Sequence, residues 1–164
     1  RARWLSAGLA LLALGWHLPA LANLYQGFAV DDRRDLIAWI REHLPPDASI
    51  VQDRRARLKL ARNSGDPAYA LPQTIVEEGR YAADAGSLED LRRRGIRYVA
   101  ACDPDYQRVL RLSGPKREHE AMRGRQDFYR TLFADGKRLW ERPPGRLAYL
   151  HPGLGLYEIP AAAP

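Results

Sequence analysis

Two patterns of apolar and polar positions divide the chain. From Trp4 to Leu24 apolar residues follow one another almost without a break, and only His17 can carry charge. From Asp31 onward apolar positions recur singly or in short runs among Arg, Asp and Glu, which is the pattern of a folded domain. Within that second part, Leu36, Ile37, Ile40 and Leu44 share one helical face, with Trp39 beside it. Asp31 or Asp32 can cap this helix, and Pro45-Pro46 stops it. Ser49-Ile-Val51 then reads as a short buried strand, and Gln73–Glu77 as a second, on its β-branched Thr74-Ile75-Val76. Between them, Arg54–Arg62 has some helical spacing through Leu58 and Ala61, followed by an Asn-Ser-Gly-Asp-Pro loop.

The sharpest local signal runs from Ser87 to Cys102. Ser87 with Asp90 three residues later is a capping box, Leu88 and Leu91 face inward, and Gly95 supplies a left-handed end. Ile96–Ala101 follows as a buried strand. Asp103-Pro-Asp-Tyr106 opens a loop or short helix through Leu112. Glu118–Phe133 is a charged helix with Met122, Phe128 or Tyr129, and Leu132 inside. Arg138-Leu-Trp140 and Leu147–Leu150 are expected to pair as strands across Arg142-Pro-Pro-Gly145, and Gly155–Ile159 is a last short strand. The expectation is a small mixed-sheet, Rossmann-like α/β domain of two or three layers. Its bounds are 31–160, after a membrane helix and linker in 1–30 and before a disordered tail in 161–164.

The apolar run has three readings. At about 1.5 Å per residue, some 20 apolar residues cover a bilayer core, so Trp4–Leu24 is long enough for a transmembrane helix. Arg1, Arg3, the apolar stretch to Trp16 and Ala20-Leu-Ala22 also compose a signal peptide or single anchor. A buried core helix is the third reading. We take the first as the expectation, because Met122 is the only Met and Arg1 reads as an internal position of a longer protein. Arg1 and Arg3 favour a cytoplasmic start, which puts 31–164 on the extracytoplasmic side of the inner membrane.

Charge changes this picture a little. The formal net charge is +6, with an excess of Arg that suits anionic lipid headgroups or lipid-linked phosphate. No nucleic-acid recognition motif accompanies it. Cys102 is the sole cysteine, so it forms no intrachain disulfide, and its place at a strand end marks it as a small apolar residue. No metal site and no cofactor site is expected. Glu118-His119-Glu120 are adjacent on a helix and do not converge on one ion. Gly153-Leu-Gly155 lacks a third glycine and a following helix, and reads as a turn. Glu77 and Glu78 alternate along a strand, so they do not share a site.

The candidate ligand-binding residues are Asp53, Arg54, Arg55, Asp103 and Asp105. The first three follow one strand and the last two follow another. If those strands are parallel neighbours, both clusters lie at the carboxyl edge of the sheet, where open α/β sheets place ligands. Arg54 and Arg55 could then hold a phosphate or sugar carboxylate by forked hydrogen bonds.

Several phrases carry a family likeness. They are Asp-Arg-Arg-Asp-Leu-Ile-Ala-Trp-Ile-Arg-Glu-His-Leu-Pro-Pro-Asp-Ala-Ser-Ile (32–50) after a last apolar helix, Leu-Arg-Arg-Arg-Gly-Ile-Arg-Tyr-Val (91–99), Phe128-Tyr-Arg-Thr-Leu-Phe133 before Leu139-Trp-Glu141, and Gly155-Leu-Tyr-Glu-Ile159. The chain resembles the C-terminal extracytoplasmic tail of bacterial polytopic glycosyltransferases of the GT-C class, similar to the protein O-mannosyltransferase-like family 39 and the lipid A aminoarabinose transferases. The resemblance implies a parent that moves a sugar from a polyprenyl-phosphate donor to an acceptor at the outer membrane face. Its catalytic carboxylates would lie in early loops outside this chain, so it assigns no catalytic residue here. The implied partners are the bilayer, the upstream transmembrane domain of the same protein, and a polyprenyl-phosphate sugar or an acceptor at the membrane surface. The implied job of the tail is scaffold, acceptor docking or lid. The alternative is a stand-alone exported or singly anchored α/β binding module.

Overall fold

The computed structural model describes residues 15–22, 25, 31–112, 120–145 and 151–160. The chain divides into Arg1–Asp31 and Asp32–Pro164. In the first unit residues 15–22 are helical, with Trp16, Leu18 and Leu21 exposed. Among the described residues no helix is long and apolar enough to cross a membrane. Most of the expected transmembrane helix lies outside the described residues, as does the tail 161–164.

The second unit is an α/β domain. Its described elements are α1 (Asp32–His43), β1 (Ser49–Gln52), α2 (Leu58–Arg62), β2 (Thr74–Val76), α3 (Leu88–Arg93), β3 (Tyr98–Cys102), α4 (Asp103–Leu110), α5 (Glu120–Asp135), β4 (Lys137–Arg142) and β5 (Leu154–Glu158). Short 3-10 turns at Arg54–Ala56, Pro67–Tyr69 and Ala82–Ala85 fill the connections. The sheet order is β2-β1-β3-β5-β4. β1 pairs parallel with both β2 and β3, whereas β5 runs antiparallel to β3 and to β4.

The period-2 alternation of the strands assigns the two faces. Ile50, Tyr98, Ala100, Cys102, Leu154 and Leu156 pack with Leu36, Ile37 and Ile40 of α1 and Leu58 of α2. Val51, Val99, Ala101 and Tyr157 point the other way, against Leu88 and Leu91 of α3, Val109 of α4, and Phe128, Tyr129 and Leu132 of α5. The domain is thus three-layered, with both faces of β3 buried. Leaving β1, the chain crosses on the first face to reach β2, then returns on the second face to reach β3. The strand order therefore reverses at β1, and a crevice opens between the carboxyl ends of β1 and β3.

The α3 signal reads through to atoms. The Ser87 hydroxyl accepts from the Asp90 amide at 3.1 Å, the Asp90 carboxylate accepts from the Ser87 amide at 3.0 Å, and Gly95 takes φ 74°. Some details refine the sequence expectations. β4 pairs with β5, so the closing hairpin is longer than expected, and the expected strand Leu147–Leu150 lies outside the described residues. The strand expected at Ile96–Ala101 is set at Tyr98–Cys102, because Ile96 still closes the α3 turn by donating to Leu91. Asp32 is the first residue of α1, and its carboxylate is engaged far along the chain with His151 and Arg142.

Replacing Ser87 by Ala removes one arm of the capping box, and we expect it to cost about 1 kcal/mol of domain stability. Urea unfolding of the full chain tests this by a lower midpoint at unchanged slope; an unchanged midpoint contradicts it.

Candidate functional site

The carboxyl edge of the sheet is held together by one buried side chain. Asp53, directly after β1, is fully buried. Its amide donates to the Ala100 carbonyl at 2.9 Å, extending the β1–β3 ladder by one residue. Its Oδ2 accepts from the Cys102 amide at 2.8 Å, and its Oδ1 accepts from the Ala82 amide at 2.7 Å and from the Tyr129 hydroxyl. One carboxyl thus joins the ends of β1 and β3, the 3-10 turn before α3, and the middle of α5. Burial pushes the Asp53 carboxyl up to about 7, against the pull of the Tyr129, Cys102 and Ala82 hydrogen bonds, with the Asp105 charge adding to the rise. Burial also carries Tyr129 above the ordinary phenol range, helped by the charge of Asp53.

Outside this knot lies a cavity of about 570 Å³ lined by Arg54, Arg55, Arg57, Leu60, Glu77, Arg80 and Asp105. Local structure explains why so many arginines meet there. The Arg54 amide donates to the Arg80 carbonyl at 3.0 Å, bringing the two segments side by side. The amides of Arg80 and Tyr81 donate to Asp84 Oδ2 at 2.9 and 3.1 Å, and Arg125 closes on Asp84 Oδ1 at 2.6 Å. A Cβ at position 79 would fall 2.4 Å from that Asp84 oxygen, so only glycine lets the chain turn this tightly before Arg80. On the other wall, Gln52 accepts from the α2 amides of Leu58 and Lys59 at 2.8 and 3.3 Å, and its amide nitrogen donates to Glu77.

Asp105 is the floor. It is 0% exposed, whereas Arg55 and Arg80 are 51% and 39% exposed. The Arg55 amide donates to Asp105 Oδ2 at 3.3 Å, and both guanidinium Nε atoms stand 3.6 Å from Oδ1. Oδ1 itself has no hydrogen-bond partner. Burial raises the Asp105 carboxyl above its usual range, opposed by the Arg55 amide and the two guanidiniums. Arg57 sits between the 3-10 turn and α2 in the left-handed region, at φ 55° and ψ 25°. For a side chain as long as Arg this costs of order 1–2 kcal/mol. Among the described residues the Arg54 and Arg57 side chains make no hydrogen bond or ion pair.

The five expected site residues therefore separate into two groups. Arg54, Arg55 and Asp105 come together on the cavity. Asp53 lies beneath it as an internal tie, and Asp103 turns away, its amide donating to Gly153 and its Oδ1 accepting from Gln107 at 3.4 Å. Arg57, Glu77 and Arg80 join the cavity without having been singled out as ligands from sequence. A reader could have found Arg80 from the strand alone, since it follows β2 as Arg54 follows β1.

A second polar cluster on the same edge escaped sequence reading altogether. His151 Nδ1 lies 3.0 Å from Asp32 Oδ2, Arg142 bridges Asp32 at 3.3 Å and Asp35 at 2.7 Å, and Arg33 donates to the Ala56 carbonyl at 3.2 Å. These contacts stitch the start of α1 to the end of β4 and to the Arg54–Ala56 turn. The chain thus enters the domain at the edge that bears the arginine cavity. Among the described residues no group of His, Cys, Asp or Glu is arranged to hold a metal ion.

The chain matches no family model, no curated protein and no solved structure. The family likeness rests on the sequence phrases alone, and the site has to be read from its own chemistry.

Asp53 supplies a pH test of the central tie. The unfolded carboxyl releases its proton near the ordinary 3.8, and the folded one near 7. Between those values the folded chain holds a proton that the unfolded chain has lost. We therefore expect stability to fall as pH rises through this window, approaching the one-proton slope, and to flatten above it. Carbon NMR of the Asp53 carboxyl in the full chain should show a midpoint near 7; a midpoint near 4 contradicts the desolvated environment.

Proposed function

We propose that Asp32–Pro164 is the non-catalytic extracytoplasmic tail domain of a polytopic membrane glycosyltransferase that uses a polyprenyl-phosphate sugar, with residues 1–30 as the last transmembrane helix and linker. The observation that carries this reading is the coincidence of two features on one sheet edge. The chain enters the domain at Asp32, and the same edge carries four arginines against two carboxylates. In this reading the edge at which the chain enters the domain is the one nearest the tether. A net positive, open cavity there suits phosphate-bearing lipids and their sugar conjugates.

The domain supports a role in docking or scaffolding better than one in chemistry. Its most perturbed carboxyl, Asp53, is sealed under the Tyr129 hydroxyl and two backbone amides, out of reach of a substrate. Asp105 is likewise buried behind Arg55 and Arg80. In this reading the edge holds a donor phosphate or an acceptor near the membrane, while the bond-making carboxylates belong to the upstream transmembrane domain.

Topology and turnover test the proposal together. Cys102 is fully buried, and its thiol is pushed far above the usual range by burial, with Asp53 adding to the effect, so it does not compete for a thiol reagent. Glu89, on the exposed side of α3, accepts a reporter as Glu89→Cys. In intact cells expressing the native gene, a membrane-impermeant maleimide is expected to label this variant from outside. Labelling only after lysis contradicts an extracytoplasmic domain, and a mature chain beginning after Ala22 converts the reading to an exported binding module. Deletion of residues 32–164 from the intact membrane protein is expected to lower sugar transfer; unchanged turnover contradicts a docking role.

A further inference from the structure

The arginine cavity has features that a merely solvated charge cluster lacks. Its charges do not cancel: Arg54, Arg55, Arg57 and Arg80 face Glu77 and Asp105, which leaves an excess of two positive charges. That excess matches a phosphate monoester, which carries about −1.5 to −2 at neutral pH, better than a carboxylate or a phosphodiester, which carry one charge. Asp105 holds the Nε side of Arg55 and of Arg80 at 3.6 Å from one buried oxygen. Asp105 meets each guanidinium through Nε, so the terminal nitrogens of both cavity-lining arginines are not taken up by it and can offer phosphate oxygens a forked contact. Asp105 Oδ1, buried and without a hydrogen bond, completes neither arginine, so the cluster is under-bonded as it stands. Arg57 is held in a left-handed conformation that a glycine would adopt without strain, a cost that serves no packing purpose for an exposed side chain.

Leu60 adds the second half of the argument. It lines this same cavity and is 65% exposed. Among the described residues of Asp32–Pro164 it is the one large aliphatic or aromatic side chain left substantially in water. A cationic cavity with an apolar side chain at its rim fits an amphiphile: a phosphate head on an apolar tail. The volume of about 570 Å³ is in the range of small-molecule sites.

We propose that this cavity, formed by Arg54, Arg55, Arg57 and Arg80 with Leu60 at its rim, binds a lipid-borne phosphate monoester at the membrane surface. The proposal rests on the membrane-facing orientation argued above and deepens it: a polyprenyl-phosphate sugar is a diester, so the ligand named here is a phosphate-bearing acceptor or the released lipid phosphate. Arg55 and Arg80 grip the phosphate, Arg54 and Arg57 supply the remaining charge, and Leu60 contacts the first carbons of the lipid. Asp105 is a positioning residue that sets the two guanidiniums and does not itself touch the ligand.

The test uses the full chain in neutral maltoside micelles. Short-chain phosphatidic acid (a phosphate monoester), short-chain phosphatidylglycerol (a diester) and inorganic phosphate are titrated separately. Binding is followed by calorimetry and by the shift in melting temperature that a ligand of the folded state produces. Any partition of the apolar N-terminal run into the micelle is common to all arms. We expect phosphatidic acid to bind at least about tenfold more tightly than phosphatidylglycerol, since each charge-assisted hydrogen bond to a missing oxygen charge is worth about that factor. Arg80→Gln is expected to lose this preference. Arg54→Gln and Arg57→Gly are expected to keep the fold, because among the described residues those side chains make no hydrogen bond or ion pair. Both are expected to weaken phosphatidic acid binding, with Arg57→Gly showing an unchanged or higher melting temperature. Leu60→Ser is expected to weaken phosphatidic acid and leave inorganic phosphate unchanged.

Equal binding of the two lipids would mean unspecific surface attraction and overturn the monoester assignment. Inorganic phosphate binding as tightly as phosphatidic acid, with Leu60→Ser silent, overturns the lipid assignment in favour of a free phosphate. Undiminished binding in Arg54→Gln, Arg57→Gly and Arg80→Gln overturns the site. Each of these failures leaves the maleimide topology result standing, and a reversed topology leaves the binding preferences to be read on their own.

Discussion

A single buried carboxyl governs this domain. Asp53 is the point at which β1 ends, the neighbouring parallel strand β3 ends, the turn into α3 begins and α5 crosses. Its partners are two backbone amides and a phenol, all buried with it, so removing Asp53 would take the carboxylate acceptor from all three inside the protein. Such groups cost about 1–3 kcal/mol apiece when left unmade. The carboxyl is itself costly to bury, which is why its proton is held toward neutral pH. Asp53 is bonded through both oxygens, which ties the ends of β1 and β3 to the turn before α3 and to α5.

That tie matters for what lies above it. The Arg54–Ala56 turn starts one residue after Asp53, and Arg80 lies two residues before the amide that Asp53 holds. The internal tie thus fixes both strands of backbone from which the cavity arginines project. Asp105 repeats the device one layer out, setting Arg55 and Arg80 from below while staying out of solvent. The outermost residues, Arg54 and Arg57, are held by nothing but backbone, and Arg57 is strained. Hydrogen bonding thins from core to rim as unpaired charge rises, which supports the proposed ligand site.

What the sequence revealed follows the range of the interactions. The α1 face, the Ser87–Asp90 capping box, the Gly95 turn and the buried β3 were legible because local spacing determines them. So was the placing of Arg54, Arg55 and Asp105 on one edge, since parallel strands carry whatever follows them to the same end. Asp53 was placed on that edge correctly but its role was not readable. Whether a carboxylate after a strand points out to a ligand or in to an α5 tyrosine depends on Tyr129, which is 76 residues away. The pairing of Asp32 with His151 spans 119 residues and has no local signature at all. The last strand was expected at Gly155–Ile159 and is found at Leu154–Glu158, but its pairing with β4 is set by a long-range register that local alternation does not specify.

The proposed lipid site requires the carboxyl edge of the sheet, rather than the opposite edge, to meet the membrane surface. Lys59 on α2 stands at that edge, whereas Lys137 begins β4, paired with Glu158 at the opposite end of the sheet. Nitroxide labels placed singly as Lys59→Cys and Lys137→Cys, in the full chain reconstituted into bilayers, report their depth by collision with oxygen and with a water-soluble nickel complex. The account requires an interfacial label at position 59 and a fully aqueous one at 137. Equal aqueous exposure at the two positions, or a deeper label at 137, would contradict it.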